Sequence, residues 1–318
     1  MNKLLFLERT RHSYMDPESL QSELHNLLIP EAGIYFRHDD EWDILSQHIR
    51  LPVFSLWVND IFSKKDIVLR PFTPVPIYAL HFMFEDSLQA QLRQDPGYLL
   101  EESECNLFNL PPGLHKIPMP NSKKILSLHI NIDPAAIPAL IQQEPILQFL
   151  EGSKNARIGG PVNVYPYQVN RTCDFLIQQI LTCDYTGENA RKFLYRCCLN
   201  LLLNIAQQQH ANSQRLLYST VMHGAIYHQL FQYLETHLHK QHSNTELAYI
   251  FDIPAEQLAY GFQQLFATTV EDFTHMVKMM FIYNRIQAKA LPHTLIAEIT
   301  GYSSVLGMMR CVEDYYLL

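Results

Sequence analysis

The side chains whose types suggest a chemical role lie in the last quarter of the chain, behind Pro254. Leu258, Phe262 and Phe266 recur at helical spacing there and predict a helix that buries this stripe. The opposite face of that helix carries Ala255, Glu256, Ala259, Tyr260 and Gln263. A glutamine amide can form paired hydrogen bonds with an adenine edge, and a small alanine can touch a thymine methyl group. This face is therefore a candidate for reading base edges, although its one glutamate would be repelled by phosphate.

A second group of candidate side chains lies near the end of the chain. Thr294 is expected to cap a short helix that runs through Ile296 to Ile299, and Gly301 suits a left-handed residue after it. Ser303 is then expected to cap the last helix. The candidate contact residues of this helix are Ser303, Ser304, Val305, Leu306, Met309 and Arg310. Arg310 is the one cation among them.

Both groups belong to the same arrangement of two helices and a turn. In the first copy, Leu247 and Ala248 lie in a short helix, and residues 252–254 form the turn. Pro254 fits a first helical turn, where its missing N–H costs nothing. Two helices joined by such a turn can lay the second helix in the major groove of DNA. Between the copies, the apolar stretch from Glu271 to about Ala290 predicts a helix that is buried on several sides.

These two copies resemble the tandem helix-turn-helix region of the AraC family of bacterial regulators, and its siderophore-responsive members fit best. The first matching segment, from Leu258 to Val270, reads Leu-Ala-Tyr-Gly-Phe-Gln-Gln-Leu-Phe-Ala-Thr-Thr-Val. The second, from Ile296 to Ser304, reads Ile-Ala-Glu-Ile-Thr-Gly-Tyr-Ser-Ser. The resemblance implies a DNA-binding domain behind a small β-barrel effector or dimerisation domain. It also implies that Lys278 and Arg310 contact phosphates.

Several residues depart from the pattern of that family. They are Ala267 for glycine, Lys278 for arginine, Ile282 for alanine, Met308 and Val312 for phenylalanine, and Glu313-Asp314 for a basic pair. The whole chain has a formal net charge of −8, and from Tyr218 to the end five Lys and Arg stand against nine Asp and Glu. Phosphate neutralisation supplies most non-specific affinity for DNA. The alternative is therefore a degenerate relative that has lost DNA binding and acts through protein or small-ligand contacts.

The first half of the chain consists of short β-rich runs separated by turns, after a predicted helix around residues 17–28. The runs are residues 33–36, 52–58, 66–69, 77–84, 98–100, 106–110 and 125–132. Many short strands with frequent turns predict a barrel or a sandwich. With the resemblance, a cupin-like barrel is favoured.

Two of these runs alternate apolar and polar residues. In the last run, Ser127, His129 and Asn131 share one face, and in an earlier run His81 lies opposite its apolar neighbours. Such alternation in an antiparallel sheet is typical of one face in water. The other interpretation is that the polar face lines a ligand cavity, for which Trp57, His81 and His129 are the candidates.

After Pro134 the apolar periodicity becomes helical. Helices are predicted at residues 135–140, 145–150, 166–183, 189–209 and 218–239. The predicted fold class is α+β, an N-terminal β-rich cupin-like barrel followed by connecting helices and an all-α tandem helix-turn-helix domain. The expected domains are residues 1–160, 161–215 and 216–318, with the first boundary in the loop 155–161.

Other chemistries find little support in the residues. The six cysteines have no spacing that closes a zinc site, and no His-x-His motif with metal-cupin spacing is present. His237, His239 and His242 suit a helix C-terminus without any metal, because its dipole favours cations. No Ser/His/Asp, Cys/His or paired-carboxylate spacing stands out. We therefore expect no metal, no cofactor and no enzyme activity.

The remaining expectations concern location and partners. The first residues lack a signal peptide, and no apolar run reaches the length of a membrane span. We expect a cytoplasmic protein without membrane contact. The expected partners are double-stranded DNA, a small-molecule effector in the N-terminal domain and a second copy of the chain in a homodimer.

Overall fold

The structure is a computed structural model that describes residues 6–7, 15, 20, 22–90, 97–152, 160–213, 224–240 and 242–317. An antiparallel β-rich part comes first and a helical part follows, which confirms the predicted α+β class. The chain divides into two compact units. The first comprises Met1–Val169 and Cys173–Gln209, and the second comprises Asn170–Thr172 and His210–Leu318.

The strands of the first unit are short and follow the predicted runs, with additions. They are β1 (Phe6–Leu7), β2 (Gly33–His38), β3 (Trp42–Arg50), β4 (Phe54–Ser63), β5 (Ile67–Leu69), β6 (Pro71–Thr73), β7 (Ile77–Met83), β8 (Leu88–Ala90), β9 (Tyr98–Leu100), β10 (Glu104–Leu110), β11 (Gly113–Leu114), β12 (Ile117–Met119), β13 (Lys124–Ile132), β14 (Gly160–Pro161) and β15 (Tyr167–Gln168). Strand β3 has no counterpart among the predicted runs.

The described residues also form helices. They are α1 (Ile137–Gln143), α2 (Phe149–Gly152), α3 (Arg171–Leu181), α4 (Gly187–Ser213), α5 (Gly224–Thr236), α6 (Asn244–Phe251), α7 (Ala255–Phe266), α8 (Val270–Gln287), α9 (His293–Ile299) and α10 (Val305–Tyr315). Short 3₁₀ helices cover Ser22–Leu27, Pro134–Ala136 and Pro145–Gln148. No helix among these residues combines the length and apolarity needed to cross a bilayer.

The predicted helices have outcomes that differ along the chain. The helix predicted from residue 166 begins only at Arg171, because Tyr167–Gln168 is extended and pairs with β10. The helix predicted at 189–209 is confirmed and is longer at both ends. Parts of three predictions lie outside the described residues. They are most of the first part of the helix predicted at 17–28, residues 155–159 of the boundary loop, and residues 218–223 of the helix predicted at 218–239.

One antiparallel sheet dominates the first unit. Its strands follow the order β14-β10-β7-β13-β4-β3-β2, and β15 also pairs with β10. Strands β3 and β4 form a hairpin in which Ile44 lies opposite Ile61, and Ile61 in turn lies opposite Ile125 of β13. This register places side chains from five neighbouring strands in straight rows on each face of the sheet.

Both faces of the central strands are buried. On β13, Leu128 and Ile130 are inaccessible on one face, while Ser127 and Asn131 are 3% and 0% exposed on the other. The apolar face is covered by helix, as where Tyr195 of α4 packs on a phenylalanine of β4 at 5.3 Å between ring centroids. The interpretation of a face in water is therefore wrong for this strand, because both faces are packed.

The sheet face that holds the polar residues of β13 also holds apolar side chains. These form one cluster toward each end of the strands. One cluster joins Trp42, Ile44, Ile61, Leu69, Met83, Leu88, Met119 and Ile125. The other joins Ile77, Ala79, Ala90, Leu100, Phe108 and Leu110. The buried polar side chains lie between these clusters, inside the unit.

Candidate nucleic-acid interface and ligand cavity

The first helix-turn-helix unit has the predicted parts. Ser243 caps α6, its hydroxyl accepting a hydrogen bond from the Glu246 N–H at 3.1 Å. Asp252 ends the helix in the left-handed region, with φ of 52°, and the chain then enters α7 immediately after Pro254. A left-handed residue at this position turns the chain sharply, so that α7 starts a new direction.

Helix α7 buries the predicted stripe against aromatic neighbours. Phe262 and Phe266 are fully or nearly fully buried, and Phe273 of α8 packs against Phe231 of α5 with the rings tilted and their centroids 4.1 Å apart. Phe231 also lies 4.8 Å from Phe266. This aromatic core fixes which face of α7 points outward.

The outward face of α7 carries the predicted reading residues. Glu256 and Gln263 are exposed, and Tyr260 is 45% exposed. Ala255 and Ala259 are half-buried beside them. The structure therefore brings all five onto the accessible side of one helix, where a duplex could approach.

The second helix-turn-helix unit differs from its prediction at both helix caps. Thr294 does not cap α9, since the helix already begins at His293 with Pro292 in the cap position. Ser304, rather than Ser303, caps α10, and its hydroxyl accepts a hydrogen bond from the Gly307 N–H at 3.1 Å. Gly301 has φ of 74°, which confirms the predicted left-handed turn. Each correction moves a helix start by one or two residues and leaves the two-helix arrangement intact.

The face of α10 is more apolar than basic. Ser303, Ser304, Leu306 and Arg310 are exposed, and Val305 and Met309 are half-buried. Met308 and Val312 are buried and fill the core side of the helix. Arg310 is followed three and four positions later by exposed Glu313 and Asp314, which lie on neighbouring positions of the helix surface and reduce its local positive charge.

Lys278 lies away from this surface. Its side chain on α8 is buried, with 8% of the residue exposed, and its ammonium group sits 5.8 Å from the centre of the Tyr302 ring. Burial lowers the pKa of Lys278 below its ordinary value. A phosphate contact with Lys278 stays a prediction and requires the phosphate to enter a cleft.

Gly301→Ala is expected to destabilise the second helix-turn-helix unit by about 2 kcal/mol. A Cβ atom at Gly301 would lie 2.5 Å from the carbonyl oxygen of His239, in addition to the strain of a left-handed alanine. Thermal unfolding and hydrogen exchange over residues 293–315 measure the effect. Gly224→Ala is the matched control, because a Cβ there meets no heavy atom within 4 Å. Equal melting temperatures and equal exchange for the two variants would contradict the turn geometry.

A row of side chains crosses five strands on the inner face of the first unit. His48, Trp57, His129, His81 and Asn106 each lie directly opposite the next, on β3, β4, β13, β7 and β10. We call this the polar row. The predicted ligand residues Trp57, His81 and His129 are therefore adjacent, although 72 residues of sequence separate the first from the last.

The rings of the polar row contact one another in pairs. His48 stacks on Trp57 at 4.2 Å between centroids, and His81 meets His129 edge-on at 4.3 Å. Burial lowers the pKa of His81 to about 4. The pKa of His129 is lowered by burial first and by His81 second. Both imidazoles are thus neutral at pH 7 and can each donate one hydrogen bond and accept one.

Several buried polar atoms beside the row have no hydrogen-bond partner in the described part of the chain. They are Nδ1 of His81 and both polar atoms of the Asn131 side-chain amide. An unpaired buried polar group costs roughly 1–3 kcal/mol, so such groups call for a water or a ligand. Sequence reasoning missed His48 and Asn106, since only the strand register places them here, and it named Asn131 as part of the polar face without choosing it as a ligand residue.

A cavity of about 520 Å³ opens at one end of the polar row. His48 and Ser55 line it, together with Arg50, Val75 and Asp133. The Ser55 hydroxyl lies 2.9 Å from Nε2 of His48 and accepts a hydrogen bond from the indole N–H of the neighbouring tryptophan at 3.1 Å. The volume suits a small organic molecule. Across the described residues no group of three or more His, Cys, Asp or Glu is placed to hold a metal ion.

Comparisons with known proteins give structural likenesses only. No family model matches the chain, and no curated protein matches it. ToxT from Vibrio cholerae matches with 11% identity over 83% of this chain and 94% of that one, at a TM-score of 0.32. The AraC-like transcriptional activator CuxR matches with 11% identity over 80% of this chain and 88% of that one, at 0.33. Ectoine synthase from P. lautus matches with 13% identity over 30% of this chain and 67% of that one, at 0.22. Scores this low leave the chain's own residues as the basis for a function.

Proposed function

We propose that this protein is a transcription regulator of the AraC type that binds specific DNA sequences through α7 and α10. The observation that carries the proposal is the tandem arrangement of two helix-turn-helix units on either side of the buried helix α8. Each unit turns at a left-handed residue, Asp252 in the first and Gly301 in the second. The domain limits proposed for this function are residues 1–160, 161–215 and 216–318.

In this proposal the first helix-turn-helix unit reads bases and the second helix-turn-helix unit contributes less. Gln263 and the alanines of α7 offer the hydrogen bonds and apolar contacts that suit an A·T pair. On α10, Arg310 is the one lysine or arginine, and acidic neighbours weaken its attraction to phosphate. Specificity must then come from base contacts that outweigh an unfavourable overall charge.

The proposed regulator takes its signal in the β-rich compact unit at the start of the chain. A small ligand that enters the cavity at one end of the polar row would meet His48 and Ser55, which line it. It would lie close to the unpaired side-chain amide of Asn131, because Asn131 lies opposite Ser55 on the neighbouring strand. Because Asn131 offers a donor and an acceptor, the favoured ligand has both kinds of group. We further propose a cytoplasmic homodimer that acts without enzyme activity.

The second compact unit, Asn170–Thr172 and His210–Leu318, is the helical unit of the chain. Its acidity favours a second candidate function. A degenerate relative of the family would keep the two helix-turn-helix units and act through protein or small-ligand contacts. The observation in its favour is the exposed surface of α7 and α10, where Glu256, Glu313 and Asp314 outnumber the single cation Arg310. The two candidates differ in whether any duplex binds with sequence preference.

Selection of duplexes from a random pool at pH 7.5 and about 0.15 M salt tests the proposal. Gln263→Ala should relax the preference at one base pair, at a cost on the order of 1–3 kcal/mol. Arg310→Ala should weaken binding to all duplexes alike and flatten the salt dependence by about one unit of slope. Gln257→Ala is the control, since Gln257 is an exposed glutamine of the same helix that is not among the predicted reading residues.

The opposite outcome is equally concrete. A generic attraction between this acidic chain and DNA would appear only at about pH 5.5 or below and at low salt, where an acidic protein carries less negative charge. Binding that appears only at such pH and low salt, without sequence preference, would be a generic attraction of opposite charges. That result would overturn the regulator and leave the degenerate relative.

A further inference from the structure

A cleft of about 1020 Å³ lies within the helical unit, around the first half of α8. Its walls come from three places in the chain. They are His239, His242, Ser243 and Asn244 before and at the start of α6, residues of α8 between Val270 and Lys278, and Thr300 to Ser303 before α10. Gly301 makes this wall possible, because its missing Cβ lets the turn approach the His239 carbonyl oxygen.

Lys278 is the buried cation of this cleft. The only interaction of its ammonium group within the described residues is the distant one with the Tyr302 ring, and no carboxylate lies within ion-pair distance. Removing an ammonium ion from water without an opposite charge is costly. A buried lysine that faces a cleft is therefore prepared to receive an anion.

His242 supplies a second unsatisfied group on the cleft wall. Its side chain is 1% exposed, and neither ring nitrogen has a hydrogen-bond partner in the described chain. The nearest carboxylate oxygen, of Glu246, is 3.8 Å from Nδ1, and that glutamate is already engaged by Lys240 at 2.8 Å. Both ring nitrogens are buried behind the cleft wall, so an imidazole N–H of His242 can bond an oxygen ligand once the ring turns toward the cleft.

Backbone dipoles add to these two side chains. Ser243 and Asn244 bring the N-terminus of α6 to the cleft, and Val270 brings that of α8. Helix N-termini carry partial positive charge and free N–H groups, which favour oxyanions. Glu271 and Asp272 oppose this effect at the first turn of α8, although Asp272 accepts a hydrogen bond from the Thr269 hydroxyl at 2.7 Å.

We propose that this cleft is a phosphate-ester site in which Lys278 and His242 hold the phosphate oxygens. A bare phosphate would fill a small part of the volume, so the ligand carries its phosphate on a larger body. Two sources share this chemistry, the phosphodiester backbone of DNA and a free phosphate monoester. The proposal does not require the regulator function, since either source occupies the same groups.

Thermal unfolding of the full chain with inorganic phosphate, against chloride at equal ionic strength, tests the site. Wild type should melt about 5 °C higher when phosphate is tenfold above its dissociation constant. Lys278→Met should lose this response, because methionine fills the space of the lysine stem without charge. Arg285→Met is the matched control, since Arg285 is an exposed cation of the same helix. It should respond as the wild type does.

Two more variants keep the test decisive. Glu271→Gln removes a repelling carboxylate and should bind phosphate several-fold more tightly, which a structural role for the cleft would not cause. His242→Gln should bind several-fold more weakly, and it serves if Lys278→Met does not fold. A wild type that responds equally to phosphate and chloride would overturn the site, as would an unchanged response in both Lys278→Met and His242→Gln.

Competition with duplex DNA identifies the source of the phosphate. If phosphate displaces a bound duplex more effectively than chloride does at equal ionic strength, the site holds the DNA backbone. If phosphate binds in the cleft while duplex binding is unaffected or absent, the site holds a free monoester. Saturable phosphate binding by a chain that binds no duplex would remove the regulator function and still support this site.

Discussion

Gly261→Ala is expected to destabilise the helical unit by about 3 kcal/mol or more, against the usual effect of alanine in a helix. Gly261 is buried in the middle of α7, and a Cβ there would lie 2.2 Å from the Tyr227 hydroxyl oxygen and 2.3 Å from its Cζ. Helix propensity would favour alanine by only about 1 kcal/mol. The clash is the larger effect, because Tyr227 is fully buried and donates a hydrogen bond to the Gln257 carbonyl at 2.8 Å.

Urea unfolding followed by far-ultraviolet circular dichroism measures this loss. The matched background is Tyr227→Leu, which removes the ring atoms that a new Cβ would meet. In that background, Gly261→Ala should cost far less than in the wild type, so that the two changes couple strongly in a double-mutant cycle. Equal unfolding midpoints for Gly261→Ala and wild type would show that α5 and α7 do not approach this closely.

The order of elements in the helical unit could be predicted from the sequence because each helix carries its own signals. Apolar spacing places α7 and α8, and the glycine at 301 marks the left-handed turn. The caps were less certain, since Ser303 and Ser304 are adjacent and both can accept the capping hydrogen bond. Only the backbone direction before α10, with Ser304 extended, decides between them.

Strand β3 shows why the sheet was harder to predict. Its run of Ser46, Gln47 and His48 looks like exposed chain, yet all three are buried. Gln47 accepts a hydrogen bond from the Ile29 N–H at 2.7 Å and donates one to the Leu27 carbonyl at 2.9 Å. The polar atoms of the Gln47 side chain are satisfied by partners 18 and 20 residues away in the chain. A local sequence pattern cannot predict such distant partners.

The polar row depends on long-range register in the same way. Alternation marked His81 and His129 as facing one side of their strands, and two interpretations of that side stayed open. The contact between them arises because β13 pairs with β7, which lies more than 40 residues earlier in the chain. Whether a polar face meets water or the interior is set by what covers it, and the covering elements are distant in sequence.

Acid is expected to destabilise the β-rich unit through the histidines of the polar row. The pKa of His81 is about 4 in the folded chain and about 6.5 when unfolded, because burial disfavours the imidazolium. Between these values the unfolded chain binds more protons, so the free energy of unfolding falls as pH decreases from about 6.5 to about 4. His81 alone accounts for about 3 kcal/mol of this loss. His129, whose pKa is also lowered, adds to it in the same direction.

Urea unfolding at pH 7 and at pH 4.5 tests this account in matched variants. His81→Gln should lose less stability on acidification than wild type by about 2–3 kcal/mol, because glutamine does not titrate. His25→Gln is the control, since His25 is exposed and outside the row, and it should follow the wild type. If His81→Gln and His25→Gln lose equal stability between the two pH values, His81 is protonated without penalty in the folded chain. The polar row would then be open to water rather than closed within the unit.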